Sequence, residues 1–196
     1  MPVVSNVYTV SFVGLTAKQV EVQVHISEGL PAFSIVGMAN KSVVESKERI
    51  RSAFSSVGLS LPPKRITVNL SPADLIKEGS HYDLPIAMGL LIEMEIIDQE
   101  EIDNYIVLGE LSLSSNLYKV PGILPAAIWT NAHNKGMICP FDNGSEASWS
   151  GNDTILAPKN MIEIINHFKG KGEIAYTKTK DACFEEVQYP NLIDVK

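Results

Sequence analysis

Residues 64–93 read KRITVNLSPADLIKEGSHYDLPIAMGLLIE, and the stretch has three parts. Ile66, Val68 and Leu70 fall on one face of a short alternating segment, the period of a half-buried strand. A polar turn follows on Lys77-Glu78-Gly79-Ser80-His81. From Asp83-Leu84-Pro85 the chain becomes apolar. Leu84, Ile86, Ala87, Met88, Leu90, Leu91 and Ile92 leave a helix over 84–95 without a polar face, which places it at the centre of a fold. Strand, charged turn and buried helix together present polar side chains at the edge of a core. The turn also has plain structural uses: Gly79 permits positive φ, Asp83 caps the helix, and Lys77 and Glu78 reach water.

Upstream, residues 7–13 read as a strand. Val20, Val22, Val24 and Ile26 alternate with Glu21, Gln23 and His25 as a second, and residues 33–36 as a third. The short links predict a meander. Asn40 reads as an N-cap. After it Val43, Val44, Ile50, Phe54 and Val57 share one helix face, with Lys47, Glu48 and Arg51 outward and Glu45 and Arg49 spaced as an i,i+4 pair. Gly58 and Pro62-Pro63 end that helix.

Downstream, residues 99–104 read as an acidic exposed connection and 105–108 as a strand. Ser114-Ser115-Asn116 signals a hairpin. A helix then carries Leu124, Ala127, Ile128 and Ala132, followed by a strand at 137–139, a short helix to Trp149 and a strand at 154–157. Asn160 caps a last helix with Ile162, Ile165 and Phe168 on one side. From Lys171 the periodicity fades. The expected organisation is a domain over 1–170 and a linker or tail over 171–196, with a strand at 173–177.

The chain has 196 residues, 45% of them hydrophobic and 20% charged, as in an ordinary soluble domain. Its formal net charge of −7 weighs against stand-alone nucleic-acid binding, because phosphate contacts need Lys and Arg. Cys139 and Cys183 form no CxxC, which argues against a disulfide framework and a zinc site and fits a reducing cytoplasm. There is no signal-peptide pattern, and no stretch reaches about 18 uninterrupted apolar residues, so no membrane span is expected. His25, His81, His133 and His167 show no metal-ligand spacing, and no metal is expected. His25 is a candidate spatial neighbour of His81.

KRITVNLSPADLIKEGSHYDLPIAMGLL resembles the N-terminal domain of the ComM/YifB type of magnesium-chelatase-like AAA+ ATPases. VYTVSFVGLTAKQVEVQVHISEGLPAFSIVGMANKSVVESKERIRSAF is similar to the opening of that family. LGELSLSSNLYKVPGILPAA is similar to its central hairpin and helix, and NLIDVK to the lead-in to its ATPase module. The resemblance covers about the whole chain. It implies an α+β, Lon-protease-like fold, a mixed β-sheet with packed crossover helices. It also implies a following AAA+ motor whose Walker A loop, GxxxxGK[ST], takes ATP and magnesium. Residues 1–196 contain no such loop. No cofactor is therefore expected in this chain, which would be a cut piece or the product of a split or truncated gene. The whole protein would be a cytoplasmic, self-associating ring ATPase acting on DNA in competence, recombination and branch migration. This domain would contribute to ring assembly or DNA engagement.

Lon-type peptidases carry a serine in a turn P-K-D-G-P-S-A-G and a lysine on a later helix. By that resemblance Lys77-Glu78-Gly79 match K-D-G, Ser80 replaces the proline, His81 takes the nucleophile position and Ala126 the lysine position. The implied site, Lys77, Glu78, Gly79, Ser80, His81, Asp83 and Ala126, lacks its reactive pair, so this chain is expected not to be an enzyme. Two alternatives stand beside this reading. One is a divergent serine peptidase using Ser80, which needs a base within about 3 Å. The other is an orphan interaction module. Ser80, His81 and Asp83 cannot form a triad, because neighbours in one turn do not converge. Lys47, Arg49, Arg51, Lys64, Arg65 and Lys77 are candidates for contact with DNA or a partner if they share a face. The plain reading is a solvated helix face and strand flank.

Overall fold

In a computed structural model, which describes residues 4–177, β1 (Ser5–Val13) and β2 (Thr16–Ser27) form a long antiparallel hairpin. β4 (Arg65–Ser71) pairs antiparallel with the far side of β2, and β3 (Ala32–Val36) pairs parallel with β4. The predicted meander is therefore corrected, because β4 inserts between β2 and β3. Burial explains the order. Ile66, Val68 and Leu70 of β4 need cover, whereas β3 buries only Phe33 and suits an edge. On the other side of β1 come β5 (Tyr105–Val107), β8 (Gly136–Ile138) and β9 (Ile155–Leu156), all parallel to one another and to β1. The sheet order is β3-β4-β2-β1-β5-β8-β9. The hairpin at Ser114-Ser115-Asn116 forms as expected, as a separate pair, β6 (Glu110–Leu111) with β7 (Leu117–Tyr118).

The sheet carries a core on each face. One contains α2 (Ser46–Ser56), α3 (Asp83–Glu93) and the buried residues of α7 (Met161–Phe168). The other contains α5 (Ile123–Ala132) and Ala147 of α6 (Phe141–Ser148). Short strands serve both: Ile106 faces α5 while Val107 faces the α3 side. α3 is buried from Asp83 to Ile92, as its apolar run predicts. Its Gly89 is required by close approach, since a Cβ there would lie 2.5 Å from Val24 Cγ2.

Several local expectations need correction. The helix after Asn40 breaks at Glu45 into α1 (Lys41–Val44) and α2. Glu45 then pairs with exposed Lys41 at 3.8 Å, and Arg49 turns to a buried carboxylate instead. The 99–104 connection contains α4 (Gln99–Ile102), which buries Ile102. Gln99 accepts from Asn6 N at 2.9 Å and donates to Asn6 O at 2.7 Å. α5 turns Ile123, Ala126, Ala127 and Thr130 inward, not Leu124, Ile128 and Ala132. α7 fully buries Met161 and Ile164, while Ile162 points out and Ile165 and Phe168 are only partly covered. A helix with apolar residues on more than one face does not announce which stripe its neighbours will cover. The strand at 173–177 reduces to a bridge of Tyr176 to Leu156, with Thr177 N donating to Ile155 O at 2.9 Å. The remainder of the tail reading, 178–196, lies outside the described residues.

Asn160 does cap α7, its side chain accepting from Glu163 N at 3.0 Å. Asn160→Ala is expected to cost about 1 kcal/mol, read as a lower urea midpoint at unchanged slope.

Candidate functional site

The turn before α3 is built around two committed side chains, Asp83 and His81. Asp83 is the first residue of α3, and the cap position belongs to Tyr82. The capping role expected for Asp83 is corrected accordingly. Its carboxylate, fully buried, accepts from Ser46 Oγ at 2.5 Å, Arg49 Nε at 2.6 Å, Arg49 Nη2 at 2.9 Å and Leu111 N at 3.1 Å. One side chain thus ties together α2, α3 and β6. Burial pushes the Asp83 carboxyl above its ordinary range, and the bonds from Arg49 and Ser46 oppose it. Arg49 is held above its own value, first by the bond to Asp83. All four contacts donate to Asp83, so the carboxylate is the form this geometry holds.

His81, 4% exposed, takes the nucleophile position of the resemblance. Its Nε2 lies 2.9 Å from Val10 O, and its ring meets Phe12 edge-on at 5.7 Å. Burial lowers its pKa to about 4, against a smaller upward pull from the Val10 bond. The ring is therefore neutral near neutral pH. A carbonyl only accepts, so Nε2 carries the proton and Nδ1 keeps a lone pair. Ser80 donates its hydroxyl to Glu110 Oε2 and makes no bond to His81. Ala126 is buried in α5, and its N–H is used by Gly122 O at 3.1 Å.

The turn and the start of α5 do meet. Gly79 and His81 share a cleft of about 480 Å³ with Gly122 and Pro125. Gly79 stands at φ +100, the turn role expected of it. Lys77 does not reach water. It is fully buried, donates Nζ to Pro72 O, and its pKa is lowered by burial against the pull of Asp74. Its backbone explains this, because Lys77 N bonds Met38 O at 3.1 Å and Lys77 O accepts from Asn40 N at 2.9 Å. These bonds draw residue 77 inward, while Glu78 stays exposed.

The six basic candidates do not form one free face. Lys77 is inside and Arg49 is held by Asp83. Lys64 pairs with Glu28 at 2.6 Å, and Arg51 pairs with Glu48 at 3.4 Å and lies over the Phe33 ring. These two pairs are exposed and weak. Lys47 is half-buried and Arg65 exposed. His25 sits opposite Thr67 and beside Val24, whose partner Ser5 begins β1, while His81 is bonded to Val10 further along that strand. The two histidines are not neighbours. Among the described residues there is no metal-capable group of three or more His, Cys, Asp or Glu side chains. Nor is any helix there long and apolar enough to cross a membrane. Ser46 and Val10 come from distant segments and carry no motif, and Glu110, though it lies in the family-like stretch that begins LGEL, carries no signal there that it meets Ser80.

The fold and this turn define a mixed α/β domain with a buried carboxylate staple at the head of its central helix. The chain belongs to the magnesium-chelatase-like family: the family model described as subunit ChlI of Mg-chelatase matches residues 22–143. It is 36% identical over 191 residues to the uncharacterized protein YifB of Escherichia coli, covering 97% of this chain and 38% of that protein. It is 34% identical over 168 residues to competence protein ComM of Haemophilus influenzae, covering 86% of this chain and 33% of that protein. An uncharacterized protein of Mycobacterium tuberculosis is 36% identical over 169 residues, covering 86% of this chain and 34% of its own length. The chain thus spans about a third of the length of these curated relatives.

Proposed function

We propose that this chain is the non-catalytic, Lon-protease-like N-terminal domain of a cytoplasmic ComM/YifB-type AAA+ ATPase. In this reading it contributes to ring assembly or DNA engagement, and ATP and magnesium belong to the motor of the longer protein. The observation that carries the reading is that His81, at the nucleophile position, and Asp83 are engaged in holding the fold. His81 Nε2 holds Val10, and Asp83 holds Arg49 and Ser46. Ser80 donates to Glu110, a carboxylate within the reach that the peptidase alternative asks of a base, and that alternative rests on this contact. Ala126 offers no side-chain nitrogen to activate a nucleophile. The likeness to a competence protein supports a part in DNA processing. Burial of Lys77 and pairing of Arg49 shift the weight from DNA contact towards assembly.

The test compares the longer protein with and without this domain. Removing it is expected to lower the assembly mass in ATP, read by sedimentation, or to weaken salt-sensitive DNA binding. Unchanged values for both would overturn the role. A fluorophosphonate probe is expected to leave the domain unlabelled. Labelling that disappears in Ser80→Ala would establish the serine peptidase alternative.

A further inference from the structure

The cleft beside His81 is more specific than a scaffold requires. Its walls are apolar, formed by Phe12, Leu15, Pro121 and Pro125. Leu15, at the tip of the β1–β2 hairpin, is 88% exposed and borders the cleft. The polar side chains in the lining are Asn40, Glu78 and His81, and Asn40 Oδ1 accepts from Val43 N and Ser42 Oγ. His81 Nε2 is used by Val10, but Nδ1 has no hydrogen-bond partner among the described residues. That nitrogen lies beside Gly79, where an added Cβ would come within 3.0 Å of it, so the glycine leaves its lone pair open to the cleft. Among the described residues the one acidic side chain in the lining is Glu78, at the exposed rim, and none of the lining side chains is a lysine or arginine. An acceptor at the floor, a carboxylate at the rim and apolar walls between them complement a hydrogen-bond donor bearing positive charge on an apolar stem.

We propose that this cleft binds a lysine side chain presented by a segment of a partner protein. The four-carbon stem lies along Phe12, Leu15 and Pro125, and the ammonium reaches His81 Nδ1 with Glu78 beside it. The ammonium is a compact point charge that can give one N–H to Nδ1 and another to Glu78 with the third in water, whereas a guanidinium is a broad planar fork. The inference rests on the turn being non-catalytic, since the lysine is held and no bond to it is made or broken.

The test titrates the full chain with Ac-Ala-Leu-Lys-Leu-Ala-NH2 and with peptides carrying norleucine, arginine or glutamate in place of the lysine. Binding is followed by calorimetry and by amide NMR shifts. The lysine peptide is expected to shift Gly79 and Gly122 and to bind about two- to fivefold tighter than the norleucine peptide, the effect of one partly exposed charge pair. Glu78→Gln alters only a rim residue and should reduce that preference while leaving norleucine binding in place. Leu15→Ser should weaken both peptides. Equal binding of lysine and norleucine peptides, tighter binding of the arginine peptide, shifts away from Gly79 and Gly122, or a lysine preference unchanged by Glu78→Gln would each overturn the proposal. Recovering the peptide clipped would instead overturn the non-catalytic reading, which keeps the two failures apart.

Discussion

Asp83→Ala is expected to lose about 3–5 kcal/mol of stability, the cost of leaving a buried charge without its partner. The substitution does more than delete one bond. It strands the guanidinium of Arg49, whose side chain is only 22% exposed, and frees the hydroxyl of Ser46 and the amide of Leu111 inside the core. Both segments packed against α3 at this point, α2 and β6, lose the group that registers them. The urea midpoint is the readout, with the slope checked for constancy. Arg49→Met alone should also be costly, because it leaves the carboxylate buried without its cation. The double variant Asp83→Leu/Arg49→Met should recover much of the loss, since replacing both charges by apolar groups of similar size is often nearly neutral. Additive costs in this cycle would mean that the two side chains do not act as a pair, and the staple would not be the organising contact of the turn.

That staple marks the boundary of what was legible in the sequence. The β4 strand and the α3 helix could be read directly, because alternation and an unbroken apolar run are local signals that survive whatever packs around them. The hairpin at Ser114-Ser115-Asn116 and the caps at Asn40 and Asn160 were legible for the same reason. Strand order was not. Whether β3 joins β2 or β4 depends on which strand has more surface to hide, a comparison between segments some thirty residues apart. The direction of Lys77 was equally hidden, since it follows from backbone bonds to residues 38 and 40. Asp83 stands at a helix start, and a local rule therefore assigned it a cap. Its actual partners come from residues 46, 49 and 111. The family resemblance located the turn, but it carried no information about which of its atoms were already spent.

A second large effect is expected from acid. His81 has a folded pKa of about 4, below its ordinary value of 6.5, chiefly because burial disfavours its cation. Between those values the unfolded chain binds more protons than the folded one, so stability rises with pH. The contribution is therefore complete above about pH 6.5 and is lost as the pH falls towards about 4, amounting to about 3 kcal/mol over the window. Tyr82, which burial raises to about 12, does not titrate there. Urea unfolding between about pH 7 and pH 4 should show this slope in the natural protein and lack it in His81→Gln, which keeps an N–H for Val10 but cannot take up the proton. The carboxylates, including Asp83, are common to both proteins and largely cancel in the difference. Matching slopes would mean that His81 takes its proton as readily in the folded chain as in the unfolded one. Nδ1 would then carry hydrogen over much of that range, and the lone pair that gives the cleft its acceptor would be gone. The acid slope thus tests, by stability alone, the protonation state on which the chemistry of the cleft depends.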